Sequence, residues 1–183
     1  RPTKSPMNVH PPTRLATAPR AAIIFAIMNR WLALLLFLAA SFTAAAIGGY
    51  ATGTSVQTWY PQLAKPSWNP PPWVFAPVWT VLYTMMSVAA WRVWLRRAEP
   101  GATGALALFG ASLVLNTLWS LIFFGARSPG GAFVEVILFW ACLVAVQARF
   151  WKLDRPAGLL WLPYLAWVSF ASVLNGTVWW LNR

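Results

Sequence analysis

Residues 31–50 read WLALLLFLAASFTAAAIGGY and contain no charged side chain. A helix needs about 20 apolar residues to cross the hydrocarbon layer of a membrane, and this run is long enough. Four further apolar stretches follow, at 72–94, 104–125, 131–151 and 156–181. Backbone amides find no water inside a bilayer, so an open chain crosses it only as helices. The sequence therefore predicts an all-α membrane protein, a bundle of five transmembrane helices.

The composition supports this fold class. Hydrophobic residues make up 59% of the chain and charged residues 9%, whereas about a quarter of an ordinary globular domain is charged. The 183 residues leave room for five spans and their connections but not for a second domain. The net charge of +11 is distributed between apolar spans rather than on one basic face, which predicts membrane orientation and excludes nucleic-acid binding.

The first 28 residues differ from the rest of the chain. They contain several prolines and basic residues but no acidic residue. This composition predicts a disordered extension or a targeting segment. The alternative is that these residues precede the native start of the protein. In both cases the membrane domain is predicted to cover residues 29–183.

The basic residues predict which way the bundle faces. Of the 14 Lys and Arg residues, all but Lys65, Arg127 and Arg183 fall in the N-terminal segment, the second connection and the fourth connection. The bias keeps its direction when the residues before Met28 are left out. Because cytoplasmic segments carry an excess of Lys and Arg, we expect the N-terminus on the cytoplasmic side of a bacterial inner membrane.

The first connection, predicted at 51–71, is much longer than the other three. It combines Trp59, Tyr60 and Trp68 with several prolines. Long loops inside compact domains are usually functional or disordered, and this aromatic and proline content argues against disorder. We therefore expect an ordered lid. The alternative is an interfacial loop whose aromatic rings lie at the depth of the lipid headgroups.

Aromatic residues recur at helical spacing in three spans. Phe75, Trp79 and Tyr83 are four residues apart and share one face of the second span. In the third span Asn116 and Trp119 share a face. The fifth span carries a further set on one face: Tyr164, Trp167, Ala171 and Leu174.

These faces together predict an apolar, aromatic cavity beneath the lid, suited to a planar amphiphile. Plain packing is the alternative for each ring, and an interhelical hydrogen bond is the alternative for Asn116.

The sequence lacks the residues that several other kinds of chemistry need. Cys142 and His10 are the single cysteine and the single histidine, so no Cys/His metal site can form within the chain and we expect no metal. Hydrolytic and phosphoryl-transfer motifs are also missing, so any reaction would depend on tryptophan. Glu135 is the one acidic residue inside a span. It lies about one turn from the start of that span, so we expect it to reach the membrane surface, with a functional role as the alternative.

Three spaced motifs resemble one known family. The first is KPSWNPP at 65–71 followed by WVF at 73–75, WT at 79–80 and LY at 82–83. The second is NTLW at 116–119, and the third is PYLAW at 163–167 followed by LN at 174–175. They are similar to the signature of the tryptophan-rich sensory protein and translocator protein family, TspO/MBR, over residues 31–182.

The resemblance implies a five-helix bundle, often a homodimer, that binds porphyrins such as protoporphyrin IX and haem-related tetrapyrroles without a required cofactor. In some members it also implies binding of cholesterol and benzodiazepine-type drugs. It further implies that Trp79 and Trp167 are the catalytic residues if light- and oxygen-dependent porphyrin breakdown occurs. The remaining positions implied to form the pocket or lid are Trp68, Phe75, Tyr83, Asn116, Trp119, Ala171 and Leu174.

Two positions depart from the family pattern. Ser67 replaces a tryptophan that some bacterial members carry in the lid, and Gly176 stands where the vertebrate sterol motif has a tyrosine. Strong cholesterol binding at the last helix is therefore not expected. Three functions remain open at this point: a tetrapyrrole receptor or sensor, a porphyrin-degrading enzyme, and a transporter of tetrapyrroles or sterols.

Overall fold

The computed structural model describes the backbone from residue 20 to residue 183 and the side chains from residue 28 onward. The described chain contains no strand, and its helices are α1 Arg20–Val56, α2 Pro72–Leu95, α3 Ala102–Ser120, α4 Pro129–Leu153 and α5 Arg155–Leu181. All five are long and apolar enough to cross a membrane. The predicted five-helix architecture is confirmed. The extension predicted at 1–28 falls mainly outside the described residues and stays a prediction.

Helix α1 is longer than the sequence predicted. The predicted span ends at Tyr50, whereas the helix continues to Val56. Its last turns are rich in small hydroxyl residues, and the Thr52 hydroxyl donates to the Gly48 carbonyl at 2.8 Å. Hydroxyl groups that bond the preceding turn in this way remain compatible with a helix. The connection to α2 is therefore 57–71 rather than 51–71, and it includes one 3₁₀ turn, Tyr60–Gln62.

The helices pack in a ring in the order α1, α2, α5, α4, α3, and the contact between α3 and α1 closes this ring. Short connections make α2 and α3, α3 and α4, and α4 and α5 antiparallel pairs. Small residues such as Ala89 and Ala90 are fully buried where helices approach closely, and the large side chains of Met86 and Trp161 fill the remaining interior. This order brings α2 and α5 side by side, which positions the candidate site.

Helix α3 ends in one wide turn, Leu121–Gly125, with π-helical hydrogen bonding. The amide of Ala126 donates to the Leu121 carbonyl, five residues earlier, at 2.8 Å. The Phe124 carbonyl instead accepts a hydrogen bond from the Ser55 hydroxyl of α1 at 2.7 Å. The wide turn therefore ties the end of α1 to the end of α3. Turns of this kind are frequent at functional sites.

At the opposite end of the bundle, Asp154 joins α2 to the turn between α4 and α5. Its carboxylate accepts from Arg92 Nε at 2.9 Å and from Arg96 Nε at 3.0 Å. It also accepts from the Ala157 amide at 2.8 Å and so caps α5. Burial alone would raise the pKa of Asp154, but hydrogen bonds and charge from Arg92, the Ala157 amide and Arg96 together lower it.

Asp154→Asn is expected to lower the Tm by about 2–4 °C, because asparagine keeps the cap but loses both ion pairs. The effect is modest because both arginine side chains are more than a third exposed. Since the folded-state pKa is lowered, the carboxylate contributes fully above its ordinary pKa of about 3.9. The contribution is lost as the pH falls through the folded-state pKa.

The Tm difference between the wild type and Asp154→Asn, measured by thermal unfolding in detergent, should be constant from about pH 5 to pH 8 and shrink below about pH 4. Glu99→Gln is the matched control, because Glu99 pairs only with Arg96 at the exposed surface. It should change the Tm by less than about 1 °C. An Asp154 effect that grows on acidification would contradict this account.

Candidate functional site

Five aromatic residues of α2 and α5, here called the aromatic face, form two contacting sets: Phe75 with Trp167, and Trp79 with Tyr83 and Tyr164. The ring centroids of Phe75 and Trp167 are 6.0 Å apart. Trp79 lies 5.4 Å from Tyr83 and 6.2 Å from Tyr164. These separations are typical of interacting aromatic pairs. The helical spacing therefore brings rings of α2 and α5 into contact within each of the two sets.

A buried chain of hydrogen bonds lies beneath the aromatic face. The Tyr83 hydroxyl donates to Asn116 Oδ1 at 2.6 Å, and Asn116 Nδ2 donates to the Tyr164 hydroxyl at 2.9 Å. All three side chains are buried, so the chain ties α2, α3 and α5 together in the bundle interior. Asn116 therefore forms the interhelical hydrogen bonds that were the alternative to ligand contact. Its direct contact with a ligand stays a prediction.

The loop 57–71 is ordered by its own polar contacts. The Lys65 ammonium donates to the carbonyls of Tyr60 at 2.8 Å and Leu63 at 2.7 Å. The Tyr60 hydroxyl donates to Asn69 Oδ1 at 3.0 Å. Burial raises the pKa of the Tyr60 phenol, so this hydroxyl stays a donor at neutral pH. The prediction of an ordered loop is confirmed.

The loop also contacts the last helix. Its Trp68 ring lies 5.8 Å from the ring of Phe170, which lies 5.6 Å from Trp167 of the aromatic face. Near the end of α5, the Ala64 amide donates to Asn182 Oδ1 and Asn182 Nδ2 donates to the Ala64 carbonyl, both at 2.9 Å. The loop is therefore fixed over the end of the aromatic face.

A second aromatic group, here called the loop-side cluster, has a core of Phe123, Ala132, Leu174 and Val178, with Trp59, Tyr60 and Trp119 packed against it. Trp119 stacks on Phe123 at 5.1 Å, and its indole N–H donates to Asn175 Oδ1 at 2.9 Å. The rings of Trp59 and Tyr60 lie 5.8 Å and 6.2 Å from Phe123. This cluster joins the wide turn of α3 to the loop.

The ten predicted site residues are thus divided between two places. Five form the aromatic face, Asn116 is hydrogen-bonded beneath it, and Trp68 reaches it through Phe170. Trp119 and Leu174 belong to the loop-side cluster. Ala171 is partly buried and packs in neither group. The predicted faces of the third and fifth spans therefore contribute to two sites rather than one.

The cavity predicted beneath the lid stays a prediction, and the described structure has a groove elsewhere. A groove of about 630 Å³ lies on the outer surface between α4 and α5, with Trp140 and Val173 in its walls, and not beneath the loop. Two ring pairs, Phe75 with Trp167 and Trp79 with Tyr164, are in contact between α2 and α5. We expect a planar ligand that enters between α2 and α5 to separate these ring pairs.

Several residues of both groups were not among the predicted site residues. Phe170 follows Trp167 by three positions and therefore shares its helical face. Asn175 follows Leu174 in the quoted motif, and its amide also donates to the Pro129 carbonyl at 2.8 Å. The helical spacing and the motif could have identified both residues. Nothing in the sequence pattern indicated that Phe124 would lie against Tyr60, with ring centroids 5.7 Å apart.

The prediction that Glu135 reaches the membrane surface is wrong. Its side chain is turned into the bundle, the residue is 6% exposed, and neither carboxyl oxygen has a hydrogen-bond partner among the described residues. Its neighbours on the same face of α4 are the buried Ala132 and Phe139. The position of a residue along a span fixes its depth, whereas the face it occupies decides whether it can reach water.

Comparisons with known proteins agree with this architecture. The family model described as the TspO/MBR family matches residues 33–181. The tryptophan-rich protein TspO of Chlorobaculum tepidum is 42% identical over 139 residues, covering 74% of this chain and 86% of that protein. Protein CrtK of Rhodobacter capsulatus is 41% identical over 151 residues, covering 81% and 94%. The human translocator protein is 41% identical over 123 residues, covering 66% and 73%.

Proposed function

The chain belongs to the TspO/MBR family, and from this premise we propose that it is a membrane receptor or sensor that binds a tetrapyrrole between its helices and the loop 57–71. The aromatic face of α2 and α5 is the observation that carries this proposal. Within each of its two sets, contacting ring centroids lie 5.4–6.2 Å apart. Conjugated macrocycles stack on surfaces of this kind, and each aromatic contact contributes about 0.5–1.5 kcal/mol beyond area burial.

The loop is suited to act as the lid of this site. Two hydrogen bonds between Ala64 and Asn182 and one aromatic contact between Trp68 and Phe170 fix it to α5. These contacts belong to residues 64–68 and are few, so this part of the loop can open while Trp59 and Tyr60 stay packed in the loop-side cluster. Lid opening would give a planar ligand access to Phe75 and Trp167, the ring pair nearest to Phe170. Closure would then exclude lipid and water from the bound ligand.

Titration of the detergent-solubilised protein with protoporphyrin IX tests the proposal. We expect tryptophan fluorescence to fall to a plateau at about one porphyrin per chain, because the indoles of the site lie within stacking distance of the ligand. Free N-acetyltryptophanamide in the same detergent is the control, and its quenching should follow porphyrin concentration without a plateau. Non-saturating quenching of the protein, equal to that of the control, would refute tetrapyrrole binding.

Photo-oxidative porphyrin breakdown is the second candidate function. It is favoured by the direct contact of Trp79 with two further oxidisable rings, those of Tyr83 and Tyr164. Illumination of the complex in air, followed by porphyrin absorbance, separates the two functions. An enzyme should lose the absorbance faster than a Trp79→Phe, Trp167→Phe variant with the same amount of bound porphyrin. A pure receptor should lose it at the same rate as that variant.

The orientation in the membrane is part of the proposal. Described basic residues concentrate at the end opposite the loop, including Arg92, Arg96, Arg149 and Lys152. We place that end in the cytoplasm of a bacterial cell and the loop on the other side of the inner membrane, following the charge bias of membrane proteins. Homodimer formation stays a prediction, and so does the expectation that the last helix does not bind cholesterol strongly.

A further inference from the structure

A groove of about 300 Å³ lies on the surface between α1 and α2, at the end of the bundle opposite the loop. Its α1 wall consists of residues between Asn29 and Phe37 that share one helical face, and its other wall consists of Trp94 and Arg97. Asn29 and Phe37 are eight residues apart, which is about 12 Å along a helix. The groove is therefore nearly as long as one hydrocarbon leaflet is deep, about 15 Å.

The groove changes from apolar to basic along its length. Its deeper part is lined by Leu36 and Phe37, and its outer end by Arg97. Trp94 precedes the last residue of α2, and tryptophans at span ends lie at the depth of the lipid headgroups. Arg97 follows Trp94 by three residues, so its guanidinium also lies at headgroup depth. A molecule that matches this groove has a long apolar chain beneath a polar group.

The guanidinium of Arg97 is oriented by an aromatic ring. Its Cζ atom lies 4.0 Å from the centroid of the Trp94 ring, which is a cation–π contact. Its one hydrogen bond to a described residue is long, from Nη1 to the Trp94 carbonyl at 3.4 Å. A guanidinium has five N–H donors in a fork that suits phosphate oxygens. Most of these donors therefore remain available to a phosphate.

The chain has no carboxylate side chain left to pair with Arg97. Its three acidic residues are Glu99, Glu135 and Asp154. Glu99 and Asp154 are already in ion pairs with other arginines, and Glu135 is buried in the half of the bundle nearer the loop. An unpaired guanidinium at headgroup depth attracts anionic lipid headgroups. The charge of Arg97 is therefore complementary to such a headgroup.

We propose that the groove between α1 and α2 binds an anionic phospholipid, with the lipid phosphate on Arg97 and one acyl chain along the α1 wall. The charge at the outer end of the groove fits the headgroup, and the length of the groove fits a chain that crosses one leaflet. A zwitterionic phospholipid has the same phosphate, but its own ammonium offsets the attraction. The groove is separate from the aromatic face and the loop, so this inference does not depend on the proposed function.

Native mass spectrometry of the full-length protein, titrated with dioleoyl phosphatidylglycerol or dioleoyl phosphatidylcholine, gives the apparent Kd of the first bound lipid. The wild type should bind phosphatidylglycerol about tenfold more tightly, as expected for one charge-assisted contact. Arg97→Gln should reduce this preference to about threefold or less. Arg149→Gln is the matched control, because Arg149 is an exposed basic residue at the same end that does not line the groove. It should leave the preference unchanged.

Equal affinity of the wild type for the two lipids would overturn the inference. Equal losses of preference in Arg97→Gln and Arg149→Gln would overturn it as well, because they would show that the total basic charge of this end, and not the groove, selects the lipid.

The acyl chain is tested by two substitutions on adjacent residues of α1. Leu35 and Leu36 are each 61% exposed, but only Leu36 lines the groove. Leu36→Trp should obstruct the groove and weaken both lipids about fivefold, through lost apolar contact with the chain. Leu35→Trp should change either affinity by less than about twofold. The same effect in both variants would show that the chain does not lie in the groove.

The same titration distinguishes other occupants. Inorganic phosphate in large excess should not displace phosphatidylglycerol, and displacement would indicate a site for free phosphate rather than for a lipid. The spectra also report the oligomeric state. A wild-type dimer that is lost in Leu36→Trp but kept in Leu35→Trp would assign the groove to a second copy of the chain. Either result would overturn the inference.

Discussion

Replacing Trp79 and Trp167 together by alanine is expected to weaken protoporphyrin IX binding by about a hundredfold. The two indoles lie in different parts of the aromatic face, one against Tyr83 and Tyr164 and the other against Phe75. A stacking contact contributes about 0.5–1.5 kcal/mol beyond area burial. Two such contacts near the upper end of this range give about 2.8 kcal/mol, which is a hundredfold in affinity.

The measurement should follow the absorbance of the porphyrin rather than tryptophan fluorescence, because the variant has lost two of its fluorophores. Trp73→Ala, Trp180→Ala is a matched control. These indoles lie at the loop end of the bundle but are 75% and 61% exposed and belong to neither aromatic group. The control should change affinity by less than about threefold. Equal losses in the two double variants would show that tryptophan content, and not the aromatic face, governs binding.

Asn116→Leu is expected to lower the free energy of unfolding by about 2–3 kcal/mol. The substitution removes the acceptor of the Tyr83 hydroxyl and the donor to the Tyr164 hydroxyl, so two buried phenols lose a partner at once. An unsatisfied buried group costs about 1–3 kcal/mol, although a single interhelical hydrogen bond in a membrane is often worth less than that. Unfolding in a denaturing detergent, followed by circular dichroism, measures the loss.

The Tyr83→Phe, Tyr164→Phe background provides the control for this loss. With both hydroxyls removed, Asn116→Leu leaves no polar group unpaired, so it should cost less than about 1 kcal/mol there. The difference between the two backgrounds measures the coupling within the hydrogen-bonded chain. The same cost in both backgrounds would mean that packing around residue 116, rather than hydrogen bonding, explains the effect.

The number and type of helices could be predicted from the sequence because hydrophobicity is a local property of each segment. The end of α1 was predicted too early, at Tyr50 rather than Val56, because of a local property of the sequence. The stretch from Ala51 to Val56 is polar enough to resemble a loop, but side-chain hydroxyls such as that of Thr52 bond the preceding helical turn. Its end is further fixed by Ser55, whose partner Phe124 lies 69 positions away. No local pattern could have indicated that contact.

The candidate site was only partly predictable. Helical spacing correctly brought Trp79 and Tyr83 together, because four-residue spacing fixes which side chains share a face, whereas Phe75 contacts Trp167 of α5. It could not show that Trp119 would stack on Phe123 and turn to the loop, since that depends on the wide turn and on tertiary packing. The burial of Glu135 was not predictable from its depth in the span, because the direction of its side chain depends on how α4 packs in the bundle.

The wide turn at Leu121–Gly125 makes this corner of the protein sensitive to chain length. A regular helix advances about 100° per residue, so removing one residue from the turn would rotate everything beyond it by that angle relative to α3. Phe123 could no longer stack on Trp119. The Phe124 carbonyl would accept a backbone hydrogen bond within the helix and would no longer accept from the Ser55 hydroxyl. A substitution in this turn changes one side chain and leaves the others in place. The deletion or insertion of a single residue would instead rotate every side chain beyond the turn relative to α3.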